Sequence, residues 1–369
     1  MVAVAQTIRH TWRRILPALV TLVFYFGLLV YPLMRMLGLA FPDWRPGTWE
    51  LLCIMLGPLA GRLSYEFVPS LTTRWLAAIA LTWLGVCFVS FNLVVVWELV
   101  NAIYPLPRQP SGQALLALTA LISVGGFVNA QLIRINHIAI TAPQQQSGYR
   151  RIAHISDVHV GSRSGRLLKR IVRKTNAAKP DCIMITGDLV DFRDVSQTEL
   201  QPIQGLEAPT YFVIGNHERY VDLEAICARL QRLGIRVLRN ESIDVEGMQL
   251  VGIDDAEAKT QVGDELRRIP AMSERFRVLL YHRPDGSQEA ADWGAHLMLC
   301  GHTHHGQIVP FNYAVRRVFP QIRGLYPVQG MNLYVSPGTG TWGPIMRLGS
   351  RSEIGMIELT DGNTSCPTN

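Results

Sequence analysis

The chain has six cysteines, at 53, 87, 182, 227, 300 and 366, but no Cys-x-x-Cys pair. Several lie inside apolar runs. That suits buried free thiols in a reducing compartment better than a disulfide framework, and none looks like a zinc ligand. Charge is also sparse, at 17% of residues against 48% hydrophobic. Ahead of Arg150 it is confined to short polar segments between long apolar stretches. No basic run is interleaved with aromatics, so the net charge of +6 reads as contact with an anionic bilayer face. A nucleic-acid partner is therefore not expected, and nothing signals a protein partner. No internal repeat or low-complexity segment breaks the chain.

What is present divides in two at about Arg150. Arg9, Arg13 and Arg14 precede an apolar run from Ile15 to about Met34. It is too long for a signal-peptide core, so it reads as a first transmembrane helix that stays on the protein. Trp75–Trp97 is uncharged throughout and is a second span; Ala114–Ile133, ending at Arg134, is a third. Leu51–Gly61, followed by Arg62, is apolar but short, and crosses only if Arg62 snorkels to the surface. Arginine placement favours four crossings: Arg9, Arg13, Arg14, Arg62, Arg74, Arg134, Arg150 and Arg151 then share one side. By the positive-inside rule that side is the cytoplasm, which makes this a multi-pass protein of the cell's inner membrane with its C-terminal domain inside. The expected organisation is a cytoplasmic tail over 1–14, a multi-pass region over 15–134, a catalytic domain over 135–360 and a flexible tail over 361–369.

From Arg151 onward short β-branched runs alternate with helical periodicity, the pattern of an α/β domain. One helix starts near Ser164, with Leu167, Leu168, Ile171 and Val172 on one face and Arg166, Lys169, Arg170, Arg173 and Lys174 on the other. The basic face reads as solvated, with bilayer contact as the alternative.

Five apolar strands each run into a residue that can bind metal. Arg151–Ser156 leads to Asp157 and His159; Cys182–Thr186 leads to Asp188, with Asp191 just beyond. Tyr211–Ile214 leads to Asn216, His217 and Glu218; Arg277–Tyr281 leads to His282; Leu297–Cys300 leads to His302 and His304. Open α/β sheets bind ligands beyond the carboxyl ends of their strands, so one fold can gather all of these. In an extended segment, residues two apart point to the same side, so Asp157 with His159, and His302 with His304, can each reach one site. Each piece alone is ordinary loop chemistry; the ordered series is not. His10, His137, His154 and His296 match no such pattern and read as structural.

This series resembles the calcineurin-like metallophosphoesterases, whose pattern is DxH, GDxxD, GNH[DE], H and GHxH. The resemblance covers about 149–360. The runs HISDVHVG, DCIMITGDLVD, YFVIGNHE, GHTHHGQI and YVSPGTGTWGP look most like the bacterial branch with an N-terminal membrane anchor, some relatives of which cleave the pyrophosphate of UDP-diacylglucosamine. The resemblance implies a four-layer αββα sandwich and two divalent metal ions. It implies that Asp157, His159 and His304 hold the first, that Asn216, His282 and His302 hold the second, and that Asp188 bridges them. His217 would stand beside the metals as the catalytic residue, with Asp191 and Glu218 orienting the groups around it. Two departures stand out: Glu218 replaces a commoner Asp, and His305 occupies a place usually held by Gly.

Oxygen and imidazole ligands without thiolate suit Mn²⁺, Fe or Zn²⁺. The implied chemistry is hydrolysis of a phosphodiester or pyrophosphate by a metal-bridging hydroxide, with His217 stabilising developing charge and protonating the leaving oxygen. Several membrane spans are an expensive tether for a soluble substrate, so a lipid-linked phosphoester is expected. Arg316, Arg317 and Arg323, set among Tyr313, Phe319 and Tyr326, are candidates to bind it. The alternatives are a phosphodiesterase of soluble nucleotides that is merely tethered, and a non-catalytic metal-binding regulator of a membrane partner.

Overall fold

The computed structural model describes residues 22–142 and 150–361. The tail over 1–14, the start of the first span and the last eight residues lie outside them. The chain forms two compact units that meet between Gly126 and Phe127.

The first unit is helical. Helices α1 (Leu22–Ala40), α3 (Leu71–Ile103) and α4 (Arg108–Gln131) are each long and apolar enough to cross a membrane. Met36 and Leu39 of α1 pack with Val94 and Trp97 of α3 and Leu115 of α4. Arg35 and Glu98 form an ion pair at 2.6 Å, with the guanidinium over the Trp97 ring. The short run Leu51–Gly61 proves to be the middle of a continuous helix, α2 (Thr48–Phe67). Polar ends extend it in both directions. Glu50 accepts from the Gly47 N–H at the start, and Arg62 pairs with Glu66 one turn on at the end. Those three charges keep α2 out of the set of clearly apolar spans, although its 20 residues would cover about 30 Å. At the other end, α4 stops at Gln131 and Ile133 already belongs to a strand, so the third span does not run on through Ile133.

The second unit is an α/β domain of two mixed six-stranded sheets. The first contains β1 (Ile133–Ala142), β2 (Arg151–Ile155), β3 (Cys182–Thr186), β4 (Thr210–Val213), β5 (Arg236–Val237) and β12 (Ser352–Asp361), in the order β1-β12-β2-β3-β4-β5. The second contains β6 (Glu241–Val245), β7 (Met248–Gly252), β8 (Phe276–Leu280), β9 (Leu297–Cys300), β10 (Gly324–Val328) and β11 (Met331–Val335), in the order β10-β11-β9-β8-β7-β6. The strands read from sequence are all present, with β4 and β8 each set one residue earlier.

Residue alternation shows why the sheets stack. Met248, Leu250, Val278, Leu280, Leu297 and Leu299 point inward, against Ile152, Met184 and Val213 of the first sheet. Their neighbours Val251, Leu279, Met298 and Cys300 point outward, under Val262, Leu266 and Ala290 of the covering helices. Both faces are buried, so the strands read as continuous apolar runs. Helix α5 (Gly165–Ala177) covers the first sheet with Leu167, Leu168, Ile171 and Val172 buried, as its periodicity predicts. Its other face is only partly solvated. Arg166, Lys169 and Arg173 are exposed, but Arg170 donates to the Gln131 carbonyl and Lys174 to that of Ile133. These cations satisfy carbonyls where α4 ends. Beyond that point β1 pairs in parallel with β12 from Ile133↔Ser352 to Ala142↔Asp361.

His154 is a buried member of the inter-sheet core. Its Nε2 lies 2.7 Å from Thr186 Oγ1 and its ring meets Tyr334 edge-on. Burial holds its pKa down to about 3. The unfolded chain takes up a proton near pH 6.5 that the folded chain refuses, so stability falls as pH drops through 6.5 and levels only near 3. Between pH 7.5 and 5 this group alone removes about 2 kcal/mol. The melting midpoint of a His154→Gln variant in detergent should therefore fall less over that interval than that of the parent; equal falls would show that His154 is not the buried titrating group.

Candidate active site

Strand ends deliver the ligand types, and left-handed turns aim them. Asp157, His159, Asp188, His302 and His304 all have φ between 49° and 72°. Non-glycine residues rarely adopt that conformation, and where they do it clusters at functional sites. His305 shares it, at φ 54°, which explains how it fills a position where Gly is usual. The turns need room beside them: a Cβ on Gly301 would overlap Ser156 and Asp157, and one on Gly215 would overlap the Asp188 carboxylate.

Three groups of side chains converge, each with its ligand atoms within 4.8 Å of one another: Asp157, His159 and His304; His159, Asp188 and His217; and Asp188, His282 and His302. His159 Nε2 is 3.1 Å from His304 Nε2, and His304 Nε2 is 3.4 Å from Asp157 Oδ1. On the other side His282 Nε2 lies 3.2 Å from Asp188 Oδ2, 3.2 Å from Asn216 Oδ1 and 3.1 Å from His302 Nδ1. All seven sequence-named ligands are thus gathered. His302 and His304 face different groups, because the chain between them turns rather than extends.

The surroundings fix which nitrogen faces inward. His282 Nδ1 lies 2.7 Å from the Thr186 carbonyl, so Nδ1 carries a proton and Nε2 is the nitrogen turned toward the other ligand groups. Asp191 hydrogen-bonds His159 Nδ1 and stands 2.9 Å from His217 Nδ1, so one carboxylate orients both rings. Glu218 has a different role from the one its place suggests. It does not touch the His217 ring; its oxygens accept from the N–H groups of Asp188, Leu189, Val190 and Gly215 at 2.8–3.0 Å. It moulds the loop that carries Asp188.

Electrostatics sharpen the picture. Burial raises the Asp157 carboxyl; at Asp188 burial is outweighed by His282 and the carboxyl stays well below its usual range. Burial also lowers His217, but the hydrogen bond to Asp191 and the charge of Asp188 overcome it and hold His217 up at about 9. Buried carboxylates and imidazole nitrogens facing one another at 3.1–3.4 Å are a donor set whose burial bound cations would compensate. The residues fit two divalent ions: imidazole nitrogen and carboxylate oxygen from every side, no thiolate, and ring orientations already fixed.

Two groups around the site carried no sequence signal. Asp255, with a fully buried side chain, accepts from Arg219 and Arg283, and Glu257 accepts from both as well. The two arginines directly follow the Asn216–Glu218 and His282 segments, so this network ties those ligand loops together. Arg347, fully buried, donates to the carbonyls of His304, Pro337, Gly338 and Gly340. Of the candidate substrate cations, Arg316 and Arg317 are exposed on helix α6 (Phe311–Val318), whereas Arg323 reaches the buried carboxylate of Glu353 at 3.4 Å. Phe319 stands edge-on to His302 at 5.1 Å.

Two mixed sheets with paired His/Asp clusters at their strand ends define a metal-dependent phosphoester hydrolase. The chain belongs to the calcineurin-like phosphoesterase family, which residues 150–306 match. It is similar to the zebrafish "transmembrane protein with metallophosphoesterase domain", with 30% identity over 87% of this chain and 82% of that one. Its bovine namesake shares 34% identity over 66% of this chain, which spans 61% of the bovine protein's length. An Aquifex aeolicus metallophosphoesterase shares 30% identity over 66% of this chain and 97% of its own. The likeness therefore reaches beyond bacteria to membrane proteins of animals.

Proposed function

We propose that Asp157, His159 and His304 hold one divalent cation and that Asn216, His282 and His302 hold a second, with Asp188 shared. The chain then hydrolyses a phosphodiester or pyrophosphate bond of a lipid-linked substrate. The observation that carries the reading is two ligand groups, Asp157–His159–His304 and Asp188–His282–His302, joined by a third in which His159 and the buried Asp188 meet His217. Bound there, the cations supply positive charge for the phosphoryl oxygens and a nucleophilic water at neutral pH. The chain's own residues do the rest. Asp191 fixes the proton on His217 Nδ1, so Nε2 faces the cleft, 3.9 Å from Asp188 Oδ2. The His217 ring is one-fifth exposed, while the His159 and His282 rings are fully buried, so it is placed to meet substrate. Protonated, it donates to the leaving oxygen.

The membrane helices support a lipid-linked substrate. With Mn²⁺ added, the detergent-solubilised chain is expected to hydrolyse UDP-diacylglucosamine faster than a soluble phosphodiester, with Asp188→Ala as the blank. Preference for the soluble ester would keep the metal chemistry and discard the lipid.

A further inference from the structure

Helix α6 is amphipathic, yet most of its apolar stripe is exposed, with only Val315 part-buried. Phe311, Ala314, Val315 and Val318 recur at the spacing of one helical face, with Arg316 and Arg317 on the other side. A stripe of this kind is ordinarily buried against a core. Here no residue of the helix is buried, and Phe311 is 48% and Val318 64% exposed. Trp342, 53% exposed, lies close by, because its backbone exchanges two hydrogen bonds with the side chain of Gln307, four residues ahead of the helix.

The position of this surface is set by the end of the last membrane helix. Within the catalytic unit, Asn129 of α4 donates to the carbonyls of Arg347 and Ser350. That segment in turn pairs with the residues leading into α6: Val309 N–H donates to the Leu348 carbonyl, and Leu348 N–H to that of Gln307. One side-chain contact and one backbone pairing therefore link the end of α4 to the residues just ahead of α6. The residues that lead into α6 are thus tied to the last turn of α4, where its apolar run ends. An apolar stripe flanked by arginines and a tryptophan is the chemistry of an interfacial helix.

We infer that α6 and Trp342 seat in the surface of the bilayer into which α4 runs, with Arg316 and Arg317 against anionic headgroups. Phe319, at the end of α6, touches His302, so the seated helix opens the cleft toward lipid. This deepens the lipid-substrate reading, but its first test is independent of activity.

The full chain is reconstituted in phosphatidylcholine–phosphatidylglycerol vesicles with a bimane probe on Val318→Cys, in a Cys53→Ser, Cys366→Ser background; Cys87, Cys182, Cys227 and Cys300 are buried. Lipid-borne doxyl groups should quench this probe about threefold more than one on Glu274→Cys, and aqueous iodide should show the reverse preference. Iodide quenching at 318 equal to that at 274, without doxyl quenching, overturns the seating. Shielding that is insensitive to doxyl lipid and lost at one chain per vesicle assigns the surface to a second copy and also overturns it. In a second arm, Val318→Asp should lower hydrolysis of a bilayer-embedded phosphoester about tenfold and leave a soluble diester unchanged. Lipid contact by the probe with no kinetic effect would support the seating and count against the lipid substrate.

Discussion

Asp188→Asn should lower turnover of a generic phosphodiester by on the order of a thousandfold, and metal content should fall from two ions per chain to one or fewer. Asp188 links the His282–His302 side to His159, which belongs in turn to the Asp157–His304 group, and it is the one carboxylate shared by two groups, so no neighbour can replace its charge. Its Oδ1 accepts the His217 N–H at 2.9 Å and its Oδ2 faces His282 Nε2 at 3.2 Å. Asparagine can keep the first contact and the side chain's volume, so the variant should fold. What it removes is the negative charge that two cations would share. Elemental analysis of the purified chain and a hydrolysis assay are the measurements. Two ions retained together with more than a tenth of the parent's turnover would show that the carboxylate does not join two metal sites.

His217→Ala should behave oppositely in metal content. Both ions stay, because three ligands remain in each cluster besides the shared carboxylate, while turnover falls by about 10²- to 10⁴-fold. The pH dependence gives a second signature. The protonated ring is the competent form, so parent activity should fall on the alkaline side. Its pKa is held up near 9 by carboxylates alone, and nearby cations lower it, so the limb lies below 9. The variant should lose that limb while keeping the rest of the profile. Full activity, or an unchanged alkaline limb, would remove His217 from the reaction.

Much of this centre was legible in the sequence because it depends on residue type at strand ends. Asp157, Asp188, His282 and His304 each follow an apolar run, and runs of that kind form the buried strands of a two-sheet core. The turns between strand and ligand were less legible. Extended geometry would have put His302 and His304 on one side, but left-handed φ values divide them between two clusters. Roles that depend on which backbone a side chain meets were not legible at all. Glu218 follows His217 in sequence yet serves four N–H groups around Asp188, and Asp191 does the orienting instead. Arg347 belongs to none of the motifs, and only the fold shows it buried against four carbonyls. In the membrane region, composition located the apolar middle of α2 but not its polar ends, because a cap and an i,i+4 ion pair extend a helix without adding hydrophobicity.

The two outer ligand clusters each take members from both sheets. Asp157 and His159 follow β2 of the first sheet, and His304 follows β9 of the second; Asp188 follows β3 of the first, while His282 and His302 follow β8 and β9 of the second. The gap between opposing ligands is therefore gauged by the thickness of the apolar layer beneath them, where Met184 and Val213 meet Val278, Leu280 and Leu299. Cations in that gap would rivet the two halves of the sandwich together at its rim. A methylene added or lost deep in the filling, far from any phosphate, would be felt as a change in coordination distance, so the interior of this protein sets the calibration of its metal centre.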